Sequence, residues 1–164
     1  MQVYYKRVAC YSHLMEKTFI ISKPEDFLEV IEEIFSYIKT NQKNKVNLIT
    51  LKGDLGAGKT TFVQELGKYL KITEPISSPT FTIMKAYELD SDSGFERLVH
   101  MDAYRIEDES ELFPLRLSEI IDDKNNLLCV EWPELIPAAM ANSRINIEIK
   151  INEDETREVH LNTK

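Results

Sequence analysis

The chain has 164 residues and a net charge of −8, from 20 basic and 28 acidic side chains. Its length suits one domain around one core, and a hydrophobic share of 43% with 29% charged residues excludes a disordered chain. The acidic balance argues against autonomous binding to nucleic acid or an anionic membrane, and no run of Lys or Arg marks a basic patch. No apolar run approaches the roughly 20 residues that span a bilayer. The N-terminus lacks the apolar stretch of a signal peptide. Of the two cysteines, Cys10 and Cys129, the second lies in the apolar run LLCV and reads as a buried thiol. A cytoplasmic protein is expected.

Residues 1–17, MQVYYKRVACYSHLMEK, show no hydrophobic period. They read as an extension before a domain spanning 18–164, with Met15 a candidate start. Thr18 to Ile21 is a short β-type run. Lys23-Pro24 with Glu25 and Asp26 fits a helix start. Phe27, Val30, Ile31, Ile34, Phe35 and Ile38 then form one apolar stripe ending near Thr40-Asn41. VNLITL, residues 46–51, reads as a buried strand. A glycine-rich loop follows, and then a helix from Lys59 to Leu70 with Phe62, Val63, Leu66 and Leu70 on one face.

KITEPISSPT, residues 71–80, is a loop bearing two prolines. Phe81 to Leu89 and Glu96 to Met101 read as a hairpin around DSDSG. Ser110 to Asp122 is helical with a break at Pro114, and Leu127 to Val130 is a short strand. Arg144 to Ile151 and Arg157 to Leu161 alternate and form a second hairpin, expected to close one edge of the sheet. The fold class is α/β: a P-loop NTPase-like three-layer domain with a mixed β-sheet and few helices.

GDLGAGKT fits G-x-x-x-x-G-K-[ST] at Gly53, Gly58, Lys59 and Thr60. A chance match in this length is on the order of 1%, and the match falls between a strand and a helix. Gly53, Asp54, Leu55, Gly56, Ala57, Gly58, Lys59, Thr60 and Thr61 are therefore the candidate phosphate cradle. Glycines let backbone N–H groups turn inward around an anion, and the following helix adds its positive end. Lys59 reaches the outer phosphates, and Thr60 offers a hydroxyl to Mg2+. No N/T-K-x-D base-reading motif is evident, which favours ATP over GTP.

A phosphate loop needs a carboxylate for the metal and a positioner for water. Asp102 in HMDAYR and Glu131 in EWPE both end apolar runs, and either can face the phosphates. A threonine in SSPTF, residues 77–81, has the place of a switch-loop residue. His100 alternates with Asp102 on one strand face; a lone histidine there is more often structural than catalytic. Arg105 can pair with a carboxylate or phosphate, and Trp132 can pack over the site or only over the core.

GDLGAGKTTF, SSPTF, HMDAYR and EWPE, in this order, resemble the TsaE (YjeE) family of small bacterial ATPases in tRNA threonylcarbamoyladenosine biosynthesis. The resemblance covers Thr18 to Leu161. It implies that residues 53–61 hold ATP, that Thr80 is the switch-like threonine, and that Asp102 is the Walker B-like acid. Glu131 would organise Mg2+ or water. It also implies a TsaB–TsaD heterodimer as partner, tRNA met only through that complex, and weak hydrolysis that the partner stimulates. The alternative reading is a small nucleoside or small-molecule kinase, against which stand six scattered arginines and no Arg-rich lid.

Overall fold

The computed structural model describes residues 15–41 and 47–164. Residues 1–14, with Cys10 and the candidate extension apart from its last three positions, lie outside the described residues, as does Val46.

Seven strands form one sheet in the order β1-β7-β6-β2-β5-β4-β3. They are β1 (Met15–Ile21), β2 (Leu48–Lys52), β3 (Met84–Glu88), β4 (Arg97–Asp102), β5 (Asn126–Glu131), β6 (Ile145–Ile151) and β7 (Arg157–Thr163). Strands β6, β2, β5 and β4 run parallel; β3, β7 and β1 pair antiparallel with their neighbours. The sheet is therefore mixed, as the sequence predicts.

Burial follows from this order. Strand β5 is buried at every position, as a central strand covered on both faces must be, and its sequence NLLCVE is correspondingly almost wholly apolar in its middle. Strand β6 alternates instead, sending Ile145, Ile147 and Ile149 into the core on one face. That face is covered by α1 (Phe27–Thr40) and α2 (Lys59–Tyr69), whose apolar stripes meet it through Val30, Ile31, Ile34, Phe62, Val63 and Leu66. The opposite face, over β4 and β5, is covered by the short α3 (Leu117–Asp122) and α4 (Pro137–Met140). Three layers result.

Most element ends shift by one or two residues from the sequence reading, and three differences matter for the sheet and the site. Strand β1 starts at Met15, so residues 15–17 belong to the sheet, in register with Thr163 to Leu161. The 157–161 hairpin arm does not close the edge, because β1 adds outside it along seven paired residues. Phe81 to Ile83 precede β3 rather than forming its start: Thr82 N donates to Pro79 O at 2.9 Å in a tight turn, and Ile83 takes φ 64°. Left-handed backbone at a β-branched residue is strained. It directs the Ile83 carbonyl to the Asp102 amide, 2.8 Å away.

Candidate functional site

The phosphate loop joins β2 to α2. Gly53 has φ 152°, and a Cβ there would collide with the Ile149 carbonyl oxygen of β6. Only glycine lets the chain leave β2 this close to its neighbour. Gly58 occupies the position before α2 with φ 111°, and no side chain among the described residues caps the helix. Its first-turn N–H groups are left to whatever anion sits in the loop. Phe27, at the start of α1, lies beneath Gly58 and packs edge-to-face on Phe62 with ring centroids 5.6 Å apart. Leu55 at the loop tip is exposed, whereas Ala57 is wholly buried and its amide bonds to Asp54 O at 3.1 Å.

Lys59 is 4% exposed. Its ammonium donates to the carbonyls of Gly53 and Asp54, at 2.6 and 2.8 Å, and lies 3.8 Å from the ring centre of Trp132. Burial pulls its pKa below the ordinary lysine value, partly offset by the carboxylates of Glu131, Glu134, Asp102 and Asp54. A cation so placed gains from any further negative charge in the loop. Trp132 reaches it because the chain leaves β5 through left-handed backbone, φ 60°, with the Trp132 amide bonded to Leu51 O. Tyr104 packs against the same indole with its ring tilted by 48°, 5.1 Å between centroids.

The two candidate acids are brought together. Asp102 and Glu131 are paired in the parallel register of β4 and β5, both at the C-terminal ends of their strands and both buried. Oε1 of Glu131 accepts from Thr60 Oγ1 at 2.8 Å and lies 2.8 Å from His100 Nε2. Asp102 holds the loop of residues 77–82: its Oδ2 accepts from Ser78 Oγ at 3.0 Å and from Thr80 Oγ1 at 2.5 Å, and its Oδ1 accepts from the Tyr104 amide at 3.0 Å. Among the described residues Arg105 meets no carboxylate; its guanidinium lies 4.5 Å above the exposed ring of Phe81, tying the same two segments together. Thr61 stands in the first turn of α2, partly covered, and has no contact with these acids among the described hydrogen bonds.

Ser78 and the His100–Glu131 contact escape sequence reasoning. The alternation of His100 with Asp102 was the only trace of the second, since strand register cannot be read from one strand. Cys129 is buried beside Glu131, and burial pushes its thiol pKa up, with Glu131 adding to the rise.

The donor set suits Mg2+. Among the described residues no group of three or more His, Cys, Asp or Glu encloses a metal. Mg2+ is ordinarily held by one or two carboxylates, a hydroxyl and phosphate oxygens rather than by a protein cage. Thr60 gives its proton to Glu131, which leaves its oxygen lone pairs for a cation.

Comparison with known proteins places the whole fold in a family. The sequence profile of the family described as "Threonylcarbamoyl adenosine biosynthesis protein TsaE" matches residues 21–159. The chain is 45% identical over 113 residues to the tRNA threonylcarbamoyladenosine biosynthesis protein TsaE of Bacillus subtilis, covering 69% of this chain and 67% of that protein. It is 36% identical over 150 residues to the TsaE protein of Aquifex aeolicus, covering 90% and 97%. The crystal structure of Bacillus subtilis YdiB superposes with a TM-score of 0.67 at 28% identity, over 92% of this chain and 86% of that one. The chain belongs to the TsaE family of threonylcarbamoyl adenosine biosynthesis proteins.

Proposed function

We propose that this chain is an ATPase that binds ATP with Mg2+ at residues 53–61, engages a TsaB–TsaD heterodimer, and couples hydrolysis to threonylcarbamoyladenosine modification of tRNA. The observation that carries this reading is the Thr60–Glu131 bond beside the in-register pair Asp102 and Glu131. It gathers a hydroxyl and two carboxylates at the mouth of an uncapped helix.

The residues divide the work as follows. The loop amides and the N-terminus of α2 hold the phosphates, and Lys59 leaves the Gly53 and Asp54 carbonyls to meet phosphate oxygen. Thr60 and Glu131, with Asp102 adjoining, hold the cation. Bound Mg2+ supplies charge neutralisation on the phosphate oxygens. Glu131 orients the attacking water. Ser78 and Thr80 transmit occupancy, because both hydroxyls depend on Asp102, whose own environment changes when a cation arrives.

The net charge of −8 supports a route to tRNA through the partner rather than by direct contact, and cytoplasmic action follows from that route. No helix among the described residues is long and apolar enough to cross a membrane. The test is phosphate release with and without the cognate heterodimer and tRNA. Weak turnover alone and marked stimulation by the heterodimer are expected. Equal rates under both conditions would remove the coupling.

A further inference from the structure

His100 is wholly buried in the middle of the site face of β4. Its Nε2 lies 2.8 Å from Oε1 of Glu131. Its other ring nitrogen, Nδ1, is buried with no hydrogen-bond partner among the described residues. A proton on Nδ1 would meet no acceptor, so the ring carries its proton on Nε2 and donates it to Glu131. An orphaned buried nitrogen costs stability, and an apolar side chain could fill this position without that cost. The use of an imidazole here therefore lies in the bond to Glu131.

That bond has a second partner. Oε1 takes both the His100 and the Thr60 donors, which come from β4 and from the first turn of α2. Oε2 receives no hydrogen bond from the described residues. Two donors on one oxygen fix the carboxylate plane, since rotation would break both at once. We propose that His100 is a positioning residue that holds Glu131 so that its free oxygen serves the nucleotide-bound cation. This inference rests on the ATPase reading for its setting. His100 touches neither nucleotide nor metal in it and acts through Glu131 alone, as outer partners of ligating groups do.

The experiment uses the full chain and its variants His100→Leu, His100→Asn and His100→Gln, each checked by thermal melting. MgCl2 is titrated at fixed ATP with two readouts: phosphate release, and emission of Trp132, the sole tryptophan, whose ring contacts Lys59. In His100→Leu and His100→Asn the Mg2+ midpoint of both readouts should rise about tenfold or more. Binding of ADP in EDTA should stay within about twofold of the parent. His100→Gln, whose longer amide places an N–H near the position of Nε2–H, should return the midpoint to within about threefold. In a Glu131→Ala background, His100→Leu should add no further shift, because the group it positions is already gone.

A folded His100→Leu or His100→Asn chain with a midpoint within about twofold of the parent overturns the proposal. So does an equal shift in the Asn and Gln variants, which reads as packing. A parent chain that binds ATP in a Mg2+-dependent way but never hydrolyses it, with partners present, removes the ATPase reading alone. The emission midpoints then still decide the role of His100.

Discussion

Thr60 Oγ1 donates to Oε1 of Glu131 across 2.8 Å, joining residues 71 positions apart at the point where α2 meets β5. The bond makes helix and strand a single unit at the cation end of the loop. Glu131→Gln keeps the shape and an acceptor oxygen but removes the charge. It should lower turnover by about a hundredfold or more while changing ADP affinity by less than about tenfold, since the lost interaction belongs to the transition state. Steady-state kinetics beside a direct binding titration checks this; equal losses in both would assign Glu131 to ground-state binding.

Lys59→Met tests the buried ammonium in two ways. Nucleotide affinity should fall by about a hundredfold or more, because a charge-assisted contact to phosphate is lost in a water-poor site. Melting of the ligand-free chain should not fall, because the wild-type cation is held there at a net desolvation cost. The sign with pH follows. The folded pKa lies below the ordinary 10.5, so between the two values the unfolded chain binds more protons and stability rises with pH. The parent should show that alkaline rise relative to Lys59→Met, measured by urea unfolding as the pH is raised toward 10.5.

Gly53→Ala addresses the loop's backbone. The added methyl would meet the Ile149 carbonyl, at a φ of 152° that L side chains rarely adopt. A destabilisation of about 1–3 kcal/mol is expected in denaturant unfolding, together with loss of nucleotide binding. A neutral effect on both would mean that β2 and β6 can move apart at this point.

Ser78 and Thr80 share one oxygen of Asp102. The double variant Ser78→Ala, Thr80→Val should free the 77–82 loop, accelerating its limited proteolysis and lowering partner stimulation of ATP turnover. ADP affinity of the isolated chain should change by less than about threefold, because neither side chain belongs to the phosphate cradle. Unchanged proteolysis would show that the Arg105–Phe81 stack alone holds the loop.

The cradle was legible because it is local. Gly53 to Thr61 are contiguous, and the strand before and helix after them announce themselves through apolar patterning. The candidacy of Asp102 and Glu131 was legible too, from their places at the ends of LVHM and LLCV. Their relation was not. It depends on parallel pairing of β4 with β5, which sets His100 beside Cys129 and Asp102 beside Glu131 across 29 residues of chain. Nothing within either strand encodes that register. The same holds for β1, whose position outside β7 is decided by long-range pairing, and for Trp132, whose left-handed backbone carries its ring over Lys59. The strained Ile83 reversed a strand prediction, because β-branched and aromatic residues at 81–83 favour extended chain unless a turn at Pro79 intervenes.

Calorimetric titration of the purified chain with ATP and with ADP, in the presence of Mg2+, addresses the phosphate loop most directly. Saturable heat is expected for both nucleotides with one site per chain, abolished by Lys59→Ala. No measurable heat with either nucleotide at millimolar concentration, from a chain that melts cooperatively, would contradict it.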